Sequence, residues 1–184
     1  MLIPVALLAC SPSAPEAPAQ EHALPEIPAR GDDAARKSKN GHLVHEVDGV
    51  QVDVRYGRPE MGGRTIFGDL VPYGAIWRTG ADEATTVAFS HDVRINRAPV
   101  PKGVYSLFTI PYAKEWVVVL NAEPKQWGAF EYDKAKDVLR VAVAAEEHEP
   151  TDTLTFEGTE QGIRLRWAGV AVPLTVAQDR GPEN

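Results

Sequence analysis

Short stretches in which apolar and polar residues alternate, separated by turn signals, restrict the possible folds of this chain most strongly. In residues 50–56 three valines alternate with polar residues, a pattern typical of a strand that is buried on one face. Asp48-Gly49, just before it, is a dipeptide favoured in tight hairpin turns. Residues 138–144 alternate again, whereas residues 116–120 are continuously apolar, which indicates a strand buried on both faces.

These patterns predict an all-β protein. The strand signals recur at turn-punctuated spacing, and a 3.6-residue periodicity is almost missing, so we expect an antiparallel β-sandwich or jelly-roll-like fold of about nine or ten short strands. The folded part is predicted to be a single domain over residues 41–178, followed by a tail over residues 179–184 that frays. Residues 146–152 are predicted to form an acidic loop, and Ala168-Gly169 a turn between two strands.

The charge and cysteine content exclude several classes of protein. Nineteen Lys and Arg residues stand against 26 Asp and Glu residues, giving a net charge of −7, which argues against a nucleic-acid partner. Cys10 is the single cysteine, so an internal disulfide and a cysteine-based metal site are ruled out. The five histidines lack metal-ligand spacing, and phosphate-binding or nucleophile-elbow motifs are missing, so we predict neither a metal nor a cofactor.

The N-terminal residues predict export to the cell envelope. Residues 7–10, Leu-Leu-Ala-Cys, resemble a bacterial lipobox, which predicts a lipoprotein signal peptide over residues 1–10 and lipidation of Cys10. Because residues 1–9 carry no positive charge, we expect the true start to lie upstream. The alternative is that a cysteine follows an apolar start by chance. Lipidation would make the membrane a partner and would place the protein in the envelope, facing the periplasm or the outside.

A spacer is predicted between the anchor and the domain. Residues 11–28 contain five prolines and four alanines, and residues 29–40 are mostly charged or polar. A segment of this composition cannot bury enough apolar surface to fold, so we predict a disordered tether over residues 11–40.

Arginine is concentrated in residues 55–86, which contain four arginines and no lysine in an otherwise acidic chain. Guanidinium groups match carboxylates and phosphates and stack on aromatic rings, so this loop is a candidate site for an anionic or saccharide-like ligand. The alternative is that the arginines only pin the loop by pairing with Asp69, Asp82 and Glu83. The candidate ligand-binding residues are Arg55, Arg58, Arg64, Tyr73, Trp77, Arg78, Asp82, Glu83 and Thr85.

The tryptophans and the two adjacent carboxylates each allow a functional and a structural interpretation. Trp77 could be a stacking platform, although a Trp beside a glycine-rich turn is more often a core residue, and Trp127 is the second platform candidate. We expect Trp116 and Trp167 to lie in the core. Asp82 and Glu83 could supply acid–base chemistry for a hydrolase, or one of them could pair with Arg78.

Several motifs in order resemble a bacterial family known as domain of unknown function 2911. They are Tyr-Gly-Arg-Pro at residues 56–59, Leu-Val-Pro-Tyr-Gly at 70–74, Trp-Arg-Thr-Gly-Ala at 77–81 and Gly-Val-Tyr-Ser-Leu-Phe at 103–108. The chain has Asp82 where the family pattern has Asn. The resemblance implies secreted or envelope-anchored proteins, often lipoproteins, and it brings no established activity.

Three functions remain open from the sequence. The first is an envelope lipoprotein whose domain binds a small anionic or saccharide-like ligand, or a protein partner, through residues 58–85. The second is a hydrolase that uses Asp82 or Glu83 with an arginine anion clamp. The third is a non-catalytic structural or interaction domain.

Overall fold

The computed structural model describes residues 23–181, which form an antiparallel sandwich of ten strands in two sheets. The predicted fold class is therefore confirmed. Cys10 and the lipobox lie outside the described residues. The strands are β1 Lys39–Val47, β2 Val50–Arg58, β3 Thr85–Phe89, β4 Val93–Ile95, β5 Ala98–Val100, β6 Gly103–Pro111, β7 Glu115–Asn121, β8 Asp137–Ala144, β9 Glu146–Thr159 and β10 Gly162–Gln178.

The six-stranded sheet has the order β1-β2-β3-β6-β7-β8, and the four-stranded sheet has the order β5-β4-β10-β9. The predicted hairpin is present: β1 and β2 pair from Val47 and Val50 outward, and both Asp48 and Gly49 have positive φ. Such turns match the right-handed twist of the two strands. Alternation in β2 buries Val52, Val54 and Tyr56, as expected for a strand with one face in the core.

The core lies between the two sheets and is centred on aromatic residues. Trp116 of β7 and Trp167 of β10 are buried, as predicted, and Phe67 packs edge-on against both with centroid distances of 4.8 and 5.9 Å. Trp77 stacks on Trp167 at 5.8 Å. The long connection from β2 to β3 therefore contributes to the core, which fixes its position.

Two expectations for the last part of the chain are wrong. Residues 146–152 belong to strand β9, and Ala168-Gly169 lies inside the single strand β10. The register of β9 against β10 shifts on either side of Ala168, whose φ is 51°, so the predicted turn is a bulge. A bulge bends a strand without ending it, and short-range sequence signals do not separate the two cases.

A smaller apolar cluster lies on the outer face of the six-stranded sheet. Phe108 of β6 and Val119 of β7 are fully buried there together with Ala84, and Ile76 and Tyr132 pack against them. Two loops therefore cover this face, one over residues 76–84 and one over residues 122–133. The second loop ends in the 3-10 helix Lys134–Lys136.

The described part of the predicted tether packs on the domain. Within this N-terminal segment (residues 23–38), Ile27 is buried and its carbonyl accepts a hydrogen bond from Arg55. The Arg30 side chain is only 6% exposed. The spacer interpretation did not include these contacts, because composition reports the average tendency of a segment and not the hydrogen bonds of one side chain.

Candidate functional site

The connection between β2 and β3 is held to β6 by backbone hydrogen bonds. Trp77 and Thr109 exchange two of them, at 2.8 and 2.9 Å, and the Gly74 amide donates to the Pro111 carbonyl at 2.8 Å. These bonds satisfy the backbone groups that a buried loop would otherwise leave unpaired. The loop is thus an ordered part of the sandwich, and residues on it have fixed positions.

Close backbone packing and one unusual torsion shape the loop around Arg78. A Cβ atom at Gly57 would clash with the carbonyl oxygen of Ala81, so only glycine allows this approach. Thr79 is fully buried with φ of 55°, a costly conformation for a β-branched residue. Its hydroxyl bonds to Thr109 at 3.1 Å and its carbonyl accepts from Thr85 at 2.9 Å. These bonds hold the turn directly after Arg78.

A cleft of about 510 Å³ opens between this loop and the N-terminal segment. Lys37, Arg64 and Arg78 line it together with one acidic residue, Glu60, so its wall carries a net positive charge in a protein of net charge −7. Edges of the buried Trp77 and Trp167 form apolar parts of the lining. We call this the loop cleft. Its volume lies within the range of about 300–1,000 Å³ that is usual for small-molecule sites.

Arg78 is the most unusual residue of the loop cleft. Its Nε is buried, and within residues 23–181 its guanidinium has neither a hydrogen-bond acceptor nor an ion-pair partner. Desolvating a cationic donor without a partner is costly, so buried donors are normally paired. The Nε of Arg58 is likewise buried without a partner among the described residues, although Arg58 does not line the cleft.

Glu83 does not pair with Arg78. Its carboxylate binds Arg36 at 2.5 Å through both oxygens, lies 3.2 Å from Arg30 and accepts the Gly31 amide at 3.0 Å. The hydrogen bonds from Arg36 lower the pKa of Glu83 from 4.5 to about 2, with burial opposing the shift. A carboxylate this acidic stays ionised at neutral pH and is a poor general acid.

Asp82 shares Arg36 with Glu83. It adopts φ of 61°, a left-handed conformation that Asp and Asn tolerate better than other side chains. This torsion gives a backbone reason for Asp or Asn at this position. Its carboxylate lies 3.5 Å from Arg36. Neither Asp82 nor Glu83 lines the loop cleft.

The remaining candidates have mixed surroundings. Arg64 lines the cleft but donates to the carbonyls of Met61 and Glu60, which pins its own turn. Arg55 lies on the polar face of β2, as predicted, beside Asp53 at 3.4 Å. Tyr73 is exposed and its ring lies against Gly68. The Thr85 hydroxyl is used inside the loop.

The site also contains residues that the sequence interpretation missed. Arg30 donates to the carbonyls of Ala81, Glu83 and Ala84, with the shortest bond at 2.8 Å, and so clamps the segment after Arg78. Lys37 adds a positive charge to the cleft wall. About fifty positions separate Arg30 from its acceptors, and periodicity or local spacing carries no signal for such a contact.

Metal sites and membrane-spanning helices were both sought in the described residues. Among residues 23–181, no cluster of three or more His, Cys, Asp or Glu side chains is arranged to hold a metal ion. A helix with the length and apolar character needed to cross a membrane is not found in the same part of the chain.

Comparison with curated proteins and with solved structures gave no match. A family model matches residues 38–176. This range includes all ten strands apart from the last two residues of β10, and every residue that lines the loop cleft except Lys37. The match covers well over half of the chain and confirms the resemblance carried by the motifs of residues 56–108. The chain therefore belongs to the family described as protein of unknown function (DUF2911).

Proposed function

We propose that this protein binds a small anionic ligand, a carboxylate or a phosphate, in the loop cleft. One observation carries the proposal: Arg78 lines a concave, positively charged site, and its buried Nε is unpaired among the described residues. An anion would supply the missing acceptor, and arginine can bind carboxylate or phosphate through two parallel hydrogen bonds.

The acidic side chains next to Arg78 do not compete for it. Glu83 is engaged by Arg30 and Arg36, and Asp82 lies beside Arg36. The two arginines of the N-terminal segment therefore leave Arg78 available, which supports ligand binding over loop pinning. The same contacts weigh against a hydrolase built on Asp82 and Glu83, because neither carboxylate lines the cleft.

Thermal unfolding with inorganic phosphate, succinate and citrate at low ionic strength tests the proposal. A ligand at about 100 times its dissociation constant stabilises the folded state by about 2.7 kcal/mol. We expect Arg78→Ala to abolish the response and Arg78→Lys to weaken it, since lysine keeps the charge but loses the fork. Calorimetric titration with the same anions gives the dissociation constants.

Arg97→Ala is the matched control, because Arg97 is exposed in the β4–β5 turn and does not line the cleft. It removes one positive charge and is expected to keep the full response. The proposal fails if wild-type protein responds to none of the three anions. It also fails if Arg78→Ala responds like wild type, or if Arg97→Ala loses as much as Arg78→Ala.

We further propose that the domain works in the bacterial cell envelope, lipidated at Cys10 and facing the periplasm or the outside. The lipobox-like residues 7–10 and the Pro/Ala-rich residues 11–28 support this location. A small-molecule binding domain on a lipid anchor would sample solutes next to the membrane. A protein partner that presents a carboxylate or phosphate group would use the same cleft.

A further inference from the structure

A second cleft, of about 340 Å³, lies on the other side of the segment that carries Glu83. Its lining includes Arg30, Glu83, Lys125, Gln126, Trp127 and Glu131. None of these residues lines the loop cleft, so the two sites are separate. We call this second site the Trp127 cleft.

Trp127 is the exception among the four tryptophans. It is 56% exposed, whereas Trp77, Trp116 and Trp167 are all buried in the core. Its backbone is nevertheless fixed, because Glu83 and Trp127 form an isolated antiparallel bridge and the Ala84 amide donates to the Gln126 carbonyl at 3.1 Å. An aromatic side chain on a fixed backbone at the wall of a cleft is a pre-organised stacking surface.

Hydrogen bonds determine the orientation of the Gln126 side chain, which is 5% exposed. Asn121 Nδ2 donates to the Asp133 carbonyl and to Asp137 Oδ1, both at 2.9 Å, so Asn121 Oδ1 must be an acceptor. Gln126 Nε2 donates to that oxygen at 3.1 Å and to the Glu123 carbonyl at 2.7 Å.

Gln126 Oε1 therefore cannot exchange places with Nε2, and it is buried without a partner among the described residues. A buried amide oxygen normally accepts a hydrogen bond. The wall of the Trp127 cleft thus contains a residue with an unsatisfied amide oxygen, Gln126, beside an exposed indole.

The charges of the Trp127 cleft balance, unlike those of the loop cleft. Two basic residues, Arg30 and Lys125, and two acidic residues, Glu83 and Glu131, line the Trp127 cleft. Arg30 is also fully occupied, since its guanidinium donates to Asn40 Oδ1 and to three backbone carbonyls and pairs with Glu83. The buried cation of this cleft is therefore not free to bind an anion. This favours a neutral ligand rich in hydroxyl donors.

We infer that the Trp127 cleft binds a neutral sugar, with a pyranose ring packed on the Trp127 indole and a ring hydroxyl donating to Gln126 Oε1. A sugar has an apolar C–H face for the aromatic ring and hydroxyls at its edge, which matches the two features of the cleft. The inference is independent of anion binding in the loop cleft, because the two sites share no lining residue.

Saturation-transfer NMR with the methyl glycosides of glucose, galactose, mannose and N-acetylglucosamine tests the inference on the whole chain. We expect at least one of them to bind with a millimolar dissociation constant, and glucuronate to bind less well than glucose. Trp127→Ala should weaken binding by about tenfold or more, and Trp127→Phe should have an intermediate effect.

Phe130→Ala is the matched control. Phe130 is an aromatic residue of the same loop, 87% exposed, that does not line the cleft. It is expected to bind sugar like wild type, and the melting temperature of each variant shows that it is folded. The inference is overturned if none of the four glycosides binds, if Trp127→Ala binds like wild type, or if Phe130→Ala loses as much as Trp127→Ala. Preference for glucuronate over glucose would overturn the assignment to neutral sugars.

Discussion

Arg78 and Glu83 are five positions apart and of opposite charge, yet they have different partners. Thr79 and Asp82, which lie between them, both have positive φ, so the chain turns sharply twice within this short distance. Glu83 meets the arginines of the N-terminal segment, and Arg78 remains at the loop cleft. The backbone torsions of two residues thus separate a structural ion pair from a candidate binding group.

Glu83→Gln should destabilise the domain in a pH-dependent way. It removes charge-assisted hydrogen bonds, each worth about 1.5–3 kcal/mol, and we expect a net loss of about 1–2 kcal/mol at neutral pH because the site is partly exposed. The folded-state pKa of Glu83 is lowered from 4.5 to about 2. Its contribution is therefore complete above pH 4.5 and is lost as the pH falls towards 2.

Denaturant unfolding measures the difference in the free energy of unfolding between wild type and Glu83→Gln. The measurements run from about pH 7 to about pH 2.5, the range in which the contribution of Glu83 is lost. The two free energies of unfolding should converge as the pH falls. A difference that stays constant over the whole range would contradict the ion-pair assignment. Glu131→Gln, in an exposed residue that has no ion pair among the described residues, is the control and should change little.

At the scale of elements, the N-terminal segment and the β2–β3 connection form one unit. Arg30 ties the first to three carbonyls of the second, and Gly57 lets β2 touch the backbone at Ala81. The conformation around Arg78 thus depends on strand β2, on β6 and on residues that precede β1. Anion binding in the loop cleft would be sensitive to each of these contacts.

Gly57→Ala should disturb this unit strongly. The new Cβ would clash with backbone at Ala81, which cannot move like a flexible side chain, so we expect a loss of about 1–3 kcal/mol in the free energy of unfolding. Gly169→Ala is the matched control, because its Cβ would have its nearest neighbour at 3.6 Å and its φ is not in the left-handed region. That change should stay within about 0.5 kcal/mol.

Denaturant unfolding measures both glycine variants. Equal stabilities would show that the close approach of β2 and the loop is not a constraint. If Gly57→Ala is destabilised and also loses anion binding at temperatures where it is folded, the backbone contact positions Arg78.

At the scale of the whole molecule, the two clefts lie on either side of residues 80–84 and differ in charge. The loop cleft has three basic residues and one acidic residue, and the Trp127 cleft has two of each. The net charge of −7 does not report the local charge of either cleft, because most acidic residues lie elsewhere in the chain. The predicted preferences for anion and neutral sugar follow from this local difference.

The proposed lipidation of Cys10 concerns the attachment of the whole molecule to a membrane, and cell fractionation tests it. Expressed in a bacterium, the protein should fractionate with membranes. Cys10→Ser removes the thiol that would carry the lipid, so it should move the protein to the soluble periplasmic fraction. Metabolic labelling with an alkynyl fatty acid should mark wild type alone. Unlabelled wild-type protein in a soluble fraction would contradict the proposal, and Ser11→Ala is the control for a neighbouring change.

The sequence by itself determined the all-β class, the Asp48-Gly49 hairpin and the burial of Trp116 and Trp167. Each of these follows from local patterns: alternation in β2, a turn dipeptide and apolar surroundings. It also identified the family, because the motifs of residues 56–108 occur in order. Local chemistry sufficed wherever a feature depends on residues that are neighbours along the chain.

Only the tertiary structure decided which charges pair. The partners of Glu83 lie about fifty residues away in a segment whose composition indicates a tether. The orientation of the Gln126 amide depends on Asn121 and Asp137 together. Pairing of this kind is a competition among distant groups, and its outcome depends on where the folded backbone places them. The sequence therefore marked Arg78 as a candidate, and the fold showed that its neighbours leave it unpaired within residues 23–181.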